Sequence, residues 1–407
     1  MLKGKTVLLG ITGGIAAYKA AYLTSALVKL HASVEVVMTR NATEFIAPLT
    51  FEQLTGNKVM VDTFDRNFVH QVEHIALADR TDLVMIAPAT ANVCAKLAHG
   101  LADDMLTTTV LACTCPKLIA PAMNTHMYEN PVTQDNLDML RRYGWEVIAP
   151  ASGRLACGAV GAGKLPEPQD LLQYILREIA FPHDLKGKRV LVTAGPTQES
   201  LAPVRYLTNH STGKMGYAIA GRAAMRGAEV TAVTGSSVSR DLLPKGIPNL
   251  SRVDCGTAAE MYDAAAAAWP DCSMGFFSAA VADFSPVPYG SHKFKKADAQ
   301  NGFSVEFAPN RDILATLAAA RRPGQKMLGF AAETASSMEE LLGLARKKRQ
   351  RKGCDVIAAN IVGRKGSGFA SETNSMAVAG PGEAGEIWET RSKADVAWDL
   401  CSCLLNA

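Results

Sequence analysis

The sequence predicts a two-domain α/β protein, and three observations carry that reading. Strand-like apolar runs alternate with helix-period segments through both halves of the chain, which implies parallel sheets covered by helices on both faces. The alternation pauses near Phe181-Pro182-His183 and restarts with GKRVLVTAGPT, which places a boundary between residues 1–182 and 183–407. The length of 407 residues, 48% of them hydrophobic and 20% charged, suffices for two separate cores.

In the first half the strands are KTVLLG, SVEVVMT, DLVMIAP and PKLIAPAM, with helices between them, the first from about Ile15 to Leu30. The basic, apolar, small-residue start imitates a signal peptide, but Gly13-Gly14 interrupts the run and Lys19 follows, as in a strand, a turn and a helix. In the second half the strands are GKRVLVTAGPT, EVTAVTG, SMGFFSAA, KMLGFAAE and DVIAAN, and a helix closes the chain. No stretch combines membrane-spanning length with freedom from charge. The net charge of +3 gives no broad nucleic-acid footprint. Nine scattered cysteines without CxxC pairs fit a reducing cytoplasm.

Ligands of doubly wound sheets sit beyond the carboxyl ends of the strands, so the following turns are the candidate sites. The turn with Gly13 and Gly14 opens a helix and offers backbone N–H groups to an anion, although neither a P-loop nor a full GxGxxG is present. Thr39, Thr90 and Asn92 occupy matching turns after the next two strands, and Asn124 follows the fourth. HQVEH at 70–74 matches a zinc-peptidase pattern of two helix-spaced histidines with a glutamate base, without a further acidic ligand. Two surface histidines, or one functional His74, are the other readings of that stretch. SGRLACGAVGAG at 152–163 sets Cys157 in a glycine-rich loop, where a thiol can act as a reagent rather than as packing.

Taken together, HIALA with His74, PATAN, PAMNTHMY with Asn124 and SGRLACGAVGAGKLPE with Cys157 resemble the flavin-dependent cysteine decarboxylases, in the phosphopantothenoylcysteine decarboxylase branch. The resemblance implies a flavodoxin-like, Rossmann-like FMN domain, with Gly13, Gly14, Thr39, Thr90 and Asn92 on the flavin. It implies His74 as acid/base or electrostatic partner, Asn124 on the substrate carboxylate, and Cys157 as proton donor to an ene-thiol. Tyr128 stands where that family commonly has tryptophan and keeps the aromatic face.

In the second half TAGPTQE, VRYLTNHSTGKMG, SAAVADF, KFKK, GFAAET and ARKKRQRKG resemble phosphopantothenate-cysteine ligase, a Rossmann-like domain fused to the decarboxylase in bacteria. Basic clusters at Lys293, Lys295 and Lys296 and at 346–352 suit the concentrated charge of an activated nucleotide, although helix decoration is an alternative for most of the second cluster. The resemblance implies CTP as co-substrate, an acyl-CMP intermediate, and Mg2+ held largely by the nucleotide phosphates. It puts Asn209 on the acyl-cytidylate, Lys293 as the catalytic lysine, and Ser278, Ala279, Asp283, Asn310, Phe330, Lys348 and Lys352 on the nucleotide. Arg311 and Ala202 replace a usual proline and a usual acidic residue. The implied whole is a cytoplasmic bifunctional enzyme of coenzyme A biosynthesis, acting on 4'-phosphopantothenate, cysteine and CTP. It would assemble as a homo-oligomer, a dodecamer of trimeric flavin and dimeric ligase domains, with no nucleic-acid or membrane partner. A zinc peptidase, a non-catalytic flavoprotein and a flavin prenyltransferase-like protein are the rivals. Retention of His74 and Cys157 counts against the second, and the whole second half against the third.

Overall fold

The computed structural model describes residues 1–64, 73–154, 158, 160–243, 247, 249–287, 304–363, 371–381 and 385–407. These divide into two compact units, Met1–Pro182 and His183–Ala407.

The N-terminal unit runs β1 (Thr6–Ile11), α1 (Ala17–Lys29), β2 (Ser33–Met38), α2 (Arg40–Thr43), α3 (Pro48–Thr55), α4 (Glu73–Arg80), β3 (Leu83–Ala89), α5 (Ala91–His99) and α6 (Met105–Ala112). It continues with β4 (Lys117–Pro121), α7 (Thr125–Glu129), α8 (Pro131–Arg142), β5 (Glu146–Val147), β6 (Ala151–Arg154), β7 (Val160–Lys164) and α9 (Pro168–Ile179). The strands β2-β1-β3-β4-β5 form one parallel sheet, the flavodoxin-like order 2-1-3-4-5. Strands such as β3 are buried along their whole length because helices cover both faces, which is why they read as continuous apolar runs. One face packs Leu23 and Leu27 of α1 with Leu171 and Ile175 of α9; the other packs Val93 of α5, Leu106 of α6 and Leu137 of α8. The short hairpin β6–β7 stands outside the sheet.

The C-terminal unit runs β8 (Arg189–Ala194), β9 (Gln198–Ala202), β10 (Arg205–Thr208), α10 (Lys214–Met225), β11 (Glu229–Gly235), β12 (Leu250–Cys255), α11 (Ala258–Ala268), β13 (Met274–Phe277), β14 (Phe284–Pro286) and β15 (Phe307–Pro309). It ends with α12 (Ile313–Ala319), β16 (Lys326–Glu333), α13 (Met338–Lys352), β17 (Val356–Ile361), β18 (Thr373–Ala379), β19 (Gly385–Ser392) and α14 (Lys393–Asn406). Its sheet is ordered β12-β11-β8-β13-β16-β17-β18-β19. The first six strands are parallel, and with the hairpins β9–β10 and β14–β15 set aside they follow the dinucleotide-fold order 3-2-1-4-5-6. β18 and β19 extend the sheet antiparallel. This hairpin, and the half-exposed β12, were not among the strands expected from the sequence. β12 alternates half-buried and exposed positions at a sheet edge and is buried only at Cys255, so it lacks the apolar run that marked the central strands.

One buried cation closes this unit. Arg226, 2% exposed at the end of α10, donates from Nε and Nη2 to the two carboxylate oxygens of Asp184 (2.8 and 2.5 Å), and from Nη1 to the Trp398 carbonyl (3.1 Å) and the Ser402 hydroxyl (2.9 Å) of α14. Its guanidinium also stacks 4.6 Å from the Trp398 ring centroid. The interaction holds the Asp184 carboxyl below its usual range, the hydrogen bond from Arg226 being the main cause.

Candidate functional site

The main sheet of each unit has a topological switch point, between β1 and β3 in the first unit and between β8 and β13 in the second, where ligands of such sheets bind.

At the first, the turns after β1 and β3 are tied by one hydroxyl. Thr12 Oγ1 donates to the Pro88 carbonyl (2.8 Å) and accepts from the Thr90 N–H (2.9 Å). Thr90 caps α5, its hydroxyl accepting from the Val93 N–H at 3.4 Å, and exposed Asn92 lies in the first turn of that helix. The two glycines do different things. A Cβ on Gly13 would stand 2.5 Å from Asn41 Cβ, so that glycine lets α2 pack on the turn, whereas a Cβ on Gly14 would meet only Thr90 Cγ2, at 4.0 Å. Thr39, held through its N–H to the Ile11 carbonyl (3.0 Å), has a buried hydroxyl with no hydrogen-bond partner among the described residues. A buried hydroxyl without a partner costs about 1–3 kcal/mol, so a polar ligand group there is favoured. The open space at Gly14 and the Thr39 hydroxyl fit a phosphate-bearing cofactor such as FMN.

Asn124 caps α7, its Oδ1 accepting from the His126 N–H at 2.9 Å, which fixes the direction of its amide. The hairpin β6–β7 lies against this segment: the Met123 N–H donates to the Gly163 carbonyl at 3.0 Å. A Cβ on Gly163 would be 2.3 Å from the Met123 carbonyl oxygen, so only glycine permits this approach. Within the SGRLACGAVGAG stretch, Gly161 and Gly163 thus serve close packing against Thr125 and Met123 on either side of Asn124, whereas Gly153 and Gly158 meet no neighbour among the described residues. Cys157, in that hairpin's connection, lies outside the described residues, as does His70 of the HQVEH stretch. His74 is half-buried near the start of α4. Among the described residues no three metal-ligating side chains cluster.

The second switch point opens into a cavity of ≈ 690 Å³. Its wall includes Asn209, Ser278, Ala279 and Asp283, and also Asn310, Phe330, Lys348 and Lys352. The structure therefore brings together every nucleotide-site residue expected from the sequence except Lys293, which lies outside the described residues together with Lys295 and Lys296. Asn209 Nδ2 donates to the carbonyls of Ala280 (3.2 Å) and Val281 (3.1 Å), and Ser278 Oγ to the Thr193 carbonyl (2.7 Å). Asn310 turns its side chain toward the protein: Nδ2 donates to the Ala282 carbonyl (2.9 Å), and Oδ1 lies 2.7 Å from the Ser285 hydroxyl. It shapes the 282–285 segment that carries Asp283. Arg311, where the resemblance has proline, stacks 4.3 Å from the Tyr262 ring centroid.

Lys348 and Lys352 share one face of α13 at i,i+4 spacing. Lys348 Nζ lies 3.1 Å from Glu333 Oε1, and Lys352 pairs with Asp312. Burial pushes the Asp312 carboxyl up, but the Ala315 N–H and the Lys352 ammonium outweigh it, and the group sits below its usual range. Two further lysines of the lining, Lys214 and Lys393, open α10 and α14. Lys214 pairs with Glu372, and Lys393 is 5% exposed. Burial, joined by repulsion from Lys214 and only partly offset by Glu372, lowers Lys393 to about 8. Gly216 allows α10 to press onto β8 and β13, since a Cβ there would be 2.5 Å from Ala194 Cβ. Sequence reading missed Lys393. A lysine opening an amphipathic C-terminal helix looks like a solvated end, and the fold alone shows it buried beside a residue 179 positions earlier.

Comparison with known proteins adds the following. Residues 1–180 match the family described as Flavoprotein, and residues 185–407 match the DNA/pantothenate metabolism flavoprotein C-terminal domain. The coenzyme A biosynthesis bifunctional protein CoaBC of Bacillus subtilis is 44% identical over 382 residues, 93% of this chain and 91% of that protein. Its counterpart from Mycolicibacterium smegmatis is 43% identical over 368 residues, 88% and 87% of the two chains. Among solved structures, the C-terminal domain of a coenzyme A biosynthesis bifunctional protein CoaBC is 31% identical, covering 55% of this chain and 97% of that one, with a TM-score of 0.43.

Proposed function

The chain belongs to the family of coenzyme A biosynthesis bifunctional proteins and is a bifunctional decarboxylase and ligase, and from this premise we propose how its two units divide the work. The C-terminal unit joins cysteine to 4'-phosphopantothenate, and the N-terminal unit decarboxylates the product to 4'-phosphopantetheine.

The observation that carries the ligase reading is the 690 Å³ cavity with four lysines in its lining. Amide formation from a carboxylate needs an activated acyl group, and CTP supplies it as an acyl-cytidylate with release of pyrophosphate. That step gathers phosphates of two substrates in one place. Lys348 and Lys352 face the nucleotide, and Mg2+, held with it, would supply charge neutralisation for its phosphates. Lys214 and Lys393 present two further ammonium groups, whose charge Glu372 offsets only in part, so their side of the cavity favours an anion such as the second substrate. Asn209 stands on the acyl-cytidylate, and Lys293, from outside the described residues, completes the phosphate contacts. Cysteine nitrogen then displaces CMP.

In the N-terminal unit Gly14, Thr39, Thr90 and Asn92 hold FMN at the β1/β3 switch point. Bound there, the flavin supplies two-electron oxidation of the substrate's cysteine thiol and returns the pair after carbon dioxide leaves. Asn124, its amide fixed by the His126 N–H, holds the carboxylate that departs. His74 serves the reacting cysteine as acid/base, and Cys157 protonates the ene-thiol. The same reading takes the chain as a cytoplasmic homo-oligomer, trimeric through flavin units and dimeric through ligase units. Among the described residues no helix is long and apolar enough to cross a membrane.

Product mass spectrometry after incubation with 4'-phosphopantothenate, CTP, Mg2+ and cysteine tests this. Phosphopantetheine is expected. Phosphopantothenoylcysteine alone would remove the roles given to His74, Asn124 and Cys157, and neither product would overturn the reading.

A further inference from the structure

Two thiols that neither reaction uses stand in the turn between α6 and β4, in the stretch Cys113-Thr114-Cys115-Pro116-Lys117. Cys113 caps the end of α6, its N–H donating to the Thr109 carbonyl at 3.2 Å, and its side chain belongs to the core beneath the sheet, 4% exposed. Cys115, two residues on, is half-buried in a bend. The far side of the turn is pinned to β3 by the Val84 N–H donating to the Pro116 carbonyl at 3.0 Å. Lys117 Nζ lies 3.4 Å from the Cys115 carbonyl oxygen and also borders a cavity of ≈ 550 Å³ lined by Leu101, Tyr143 and Trp145, among others.

The two sulfurs differ in character. Hydrogen bonding from the neighbouring Cys113 thiol lowers Cys115 to about 7 despite partial burial, with help from the Lys117 ammonium and nearby backbone N–H groups. The same hydrogen bonding, with burial, pushes Cys113 far up. Elsewhere burial raises the thiols, Cys94 and Cys401 to about 12 and Cys272 and Cys354 to about 11. Spacing also suits a bridge, because two residues span at most about 7 Å, near the usual Cα separation of a disulfide.

We propose that Cys113 and Cys115 form a reversible thiol–disulfide modification site that takes a small hydroperoxide, with Cys115 the attacking sulfur and Cys113 the resolving one. Cys115 sulfur attacks the terminal peroxide oxygen; the S–O bond forms as the O–O bond breaks, and the departing oxygen leaves as water or alcohol after taking a proton. Cys113 sulfur then displaces the new hydroxyl from Cys115, giving its own proton to the leaving water. Two electrons pass from the thiol pair to one peroxide. A disulfide across a single intervening residue is strained and readily reduced by an external dithiol, which makes the modification reversible.

The test uses the full-length protein treated with hydrogen peroxide, blocked with iodoacetamide and mapped by mass spectrometry. A Cys113–Cys115 peptide lighter by two hydrogens, restored by dithiothreitol, is expected. In untreated protein Cys115 should alkylate at pH 7 about tenfold or more faster than half-buried Cys403, because far more of it is thiolate. Cys113→Ala should stop oxidation at a dimedone-reactive Cys115 and raise the pH midpoint of its alkylation while both enzyme activities persist. Equal alkylation of Cys115 and Cys403, or peroxide treatment that leaves the peptide's mass unchanged, would overturn the proposal, and both readouts need only the parent protein.

Discussion

Replacing Gly163 with alanine is expected to cripple decarboxylation while sparing ligation in the same molecule. The residue holds φ +135°, a conformation that costs an L-amino acid about 1–3 kcal/mol. The new Cβ would stand 2.3 Å from the Met123 carbonyl oxygen, a backbone atom that cannot rotate aside, and relieving such an overlap costs about 1–3 kcal/mol more. The combined burden of about 2–6 kcal/mol falls on the seam where Met123 donates to the Gly163 carbonyl, directly before Asn124. At tenfold per 1.4 kcal/mol, even the lower bound displaces the hairpin from its docked position about 30-fold. The assay supplies phosphopantothenoylcysteine and follows its decarboxylation, with pyrophosphate release by the other unit as the internal control. Decarboxylation within twofold of the parent protein, at an unchanged melting temperature, would refute the argument. Gly161→Ala makes a useful comparison, because its Cβ would meet the Thr125 side chain, at 2.7 Å from Cγ2, rather than backbone.

Other substitutions probe the remaining features. Lys393 titrates near 8 in the folded chain and at its ordinary, higher value when unfolded, so the unfolded state binds more protons between the two and stability rises with pH there. Lys393→Met should therefore raise the melting temperature of the ligand-free protein near pH 7 and flatten its change above pH 8. It should also weaken phosphopantothenate binding and abolish the loss of affinity expected as pH rises through about 8; a binding isotherm unaltered at pH 7 would count against an anion-facing Lys393. Lys352→Ala should raise the KM for CTP about tenfold, the worth of one charged hydrogen bond, with decarboxylation of supplied intermediate unchanged; an unaltered KM would move the nucleotide elsewhere. Thr39→Val removes a buried hydroxyl that lacks a partner among the described residues, so the flavin-free protein should keep its stability while flavin content after purification falls. Full flavin occupancy in that variant would take Thr39 out of the site.

What the sequence disclosed follows from which signals are local. The central strands of both sheets are buried on two faces, so β3 and β8 stand out as apolar runs, and the turns after them could be named as sites before any fold was known. Edge pieces carry weaker signals: β12 alternates, and the β18–β19 hairpin lies in a stretch without the strand–helix rhythm. Side-chain direction was the least legible property. Asn310 and Lys348 read alike as polar groups bound for a nucleotide, yet Asn310 is committed to Ala282 and Ser285, and Lys348 lines the cavity beside Glu333. The Lys214–Lys393 wall depends on two helix starts far apart in the chain, a juxtaposition that no window of sequence contains.

Arg226 has a consequence for the way the C-terminal unit can be cut and rejoined. Its four hydrogen-bond acceptors come from the unit's second residue and from its last helix, so one guanidinium holds both ends of that stretch of chain within a side chain's reach. The unit is thereby almost a closed ring. A peptide of a few residues could join Asn406 to His183, and a new opening at an exposed turn such as Arg322–Gly324 would give a circular permutant that keeps the clamp intact.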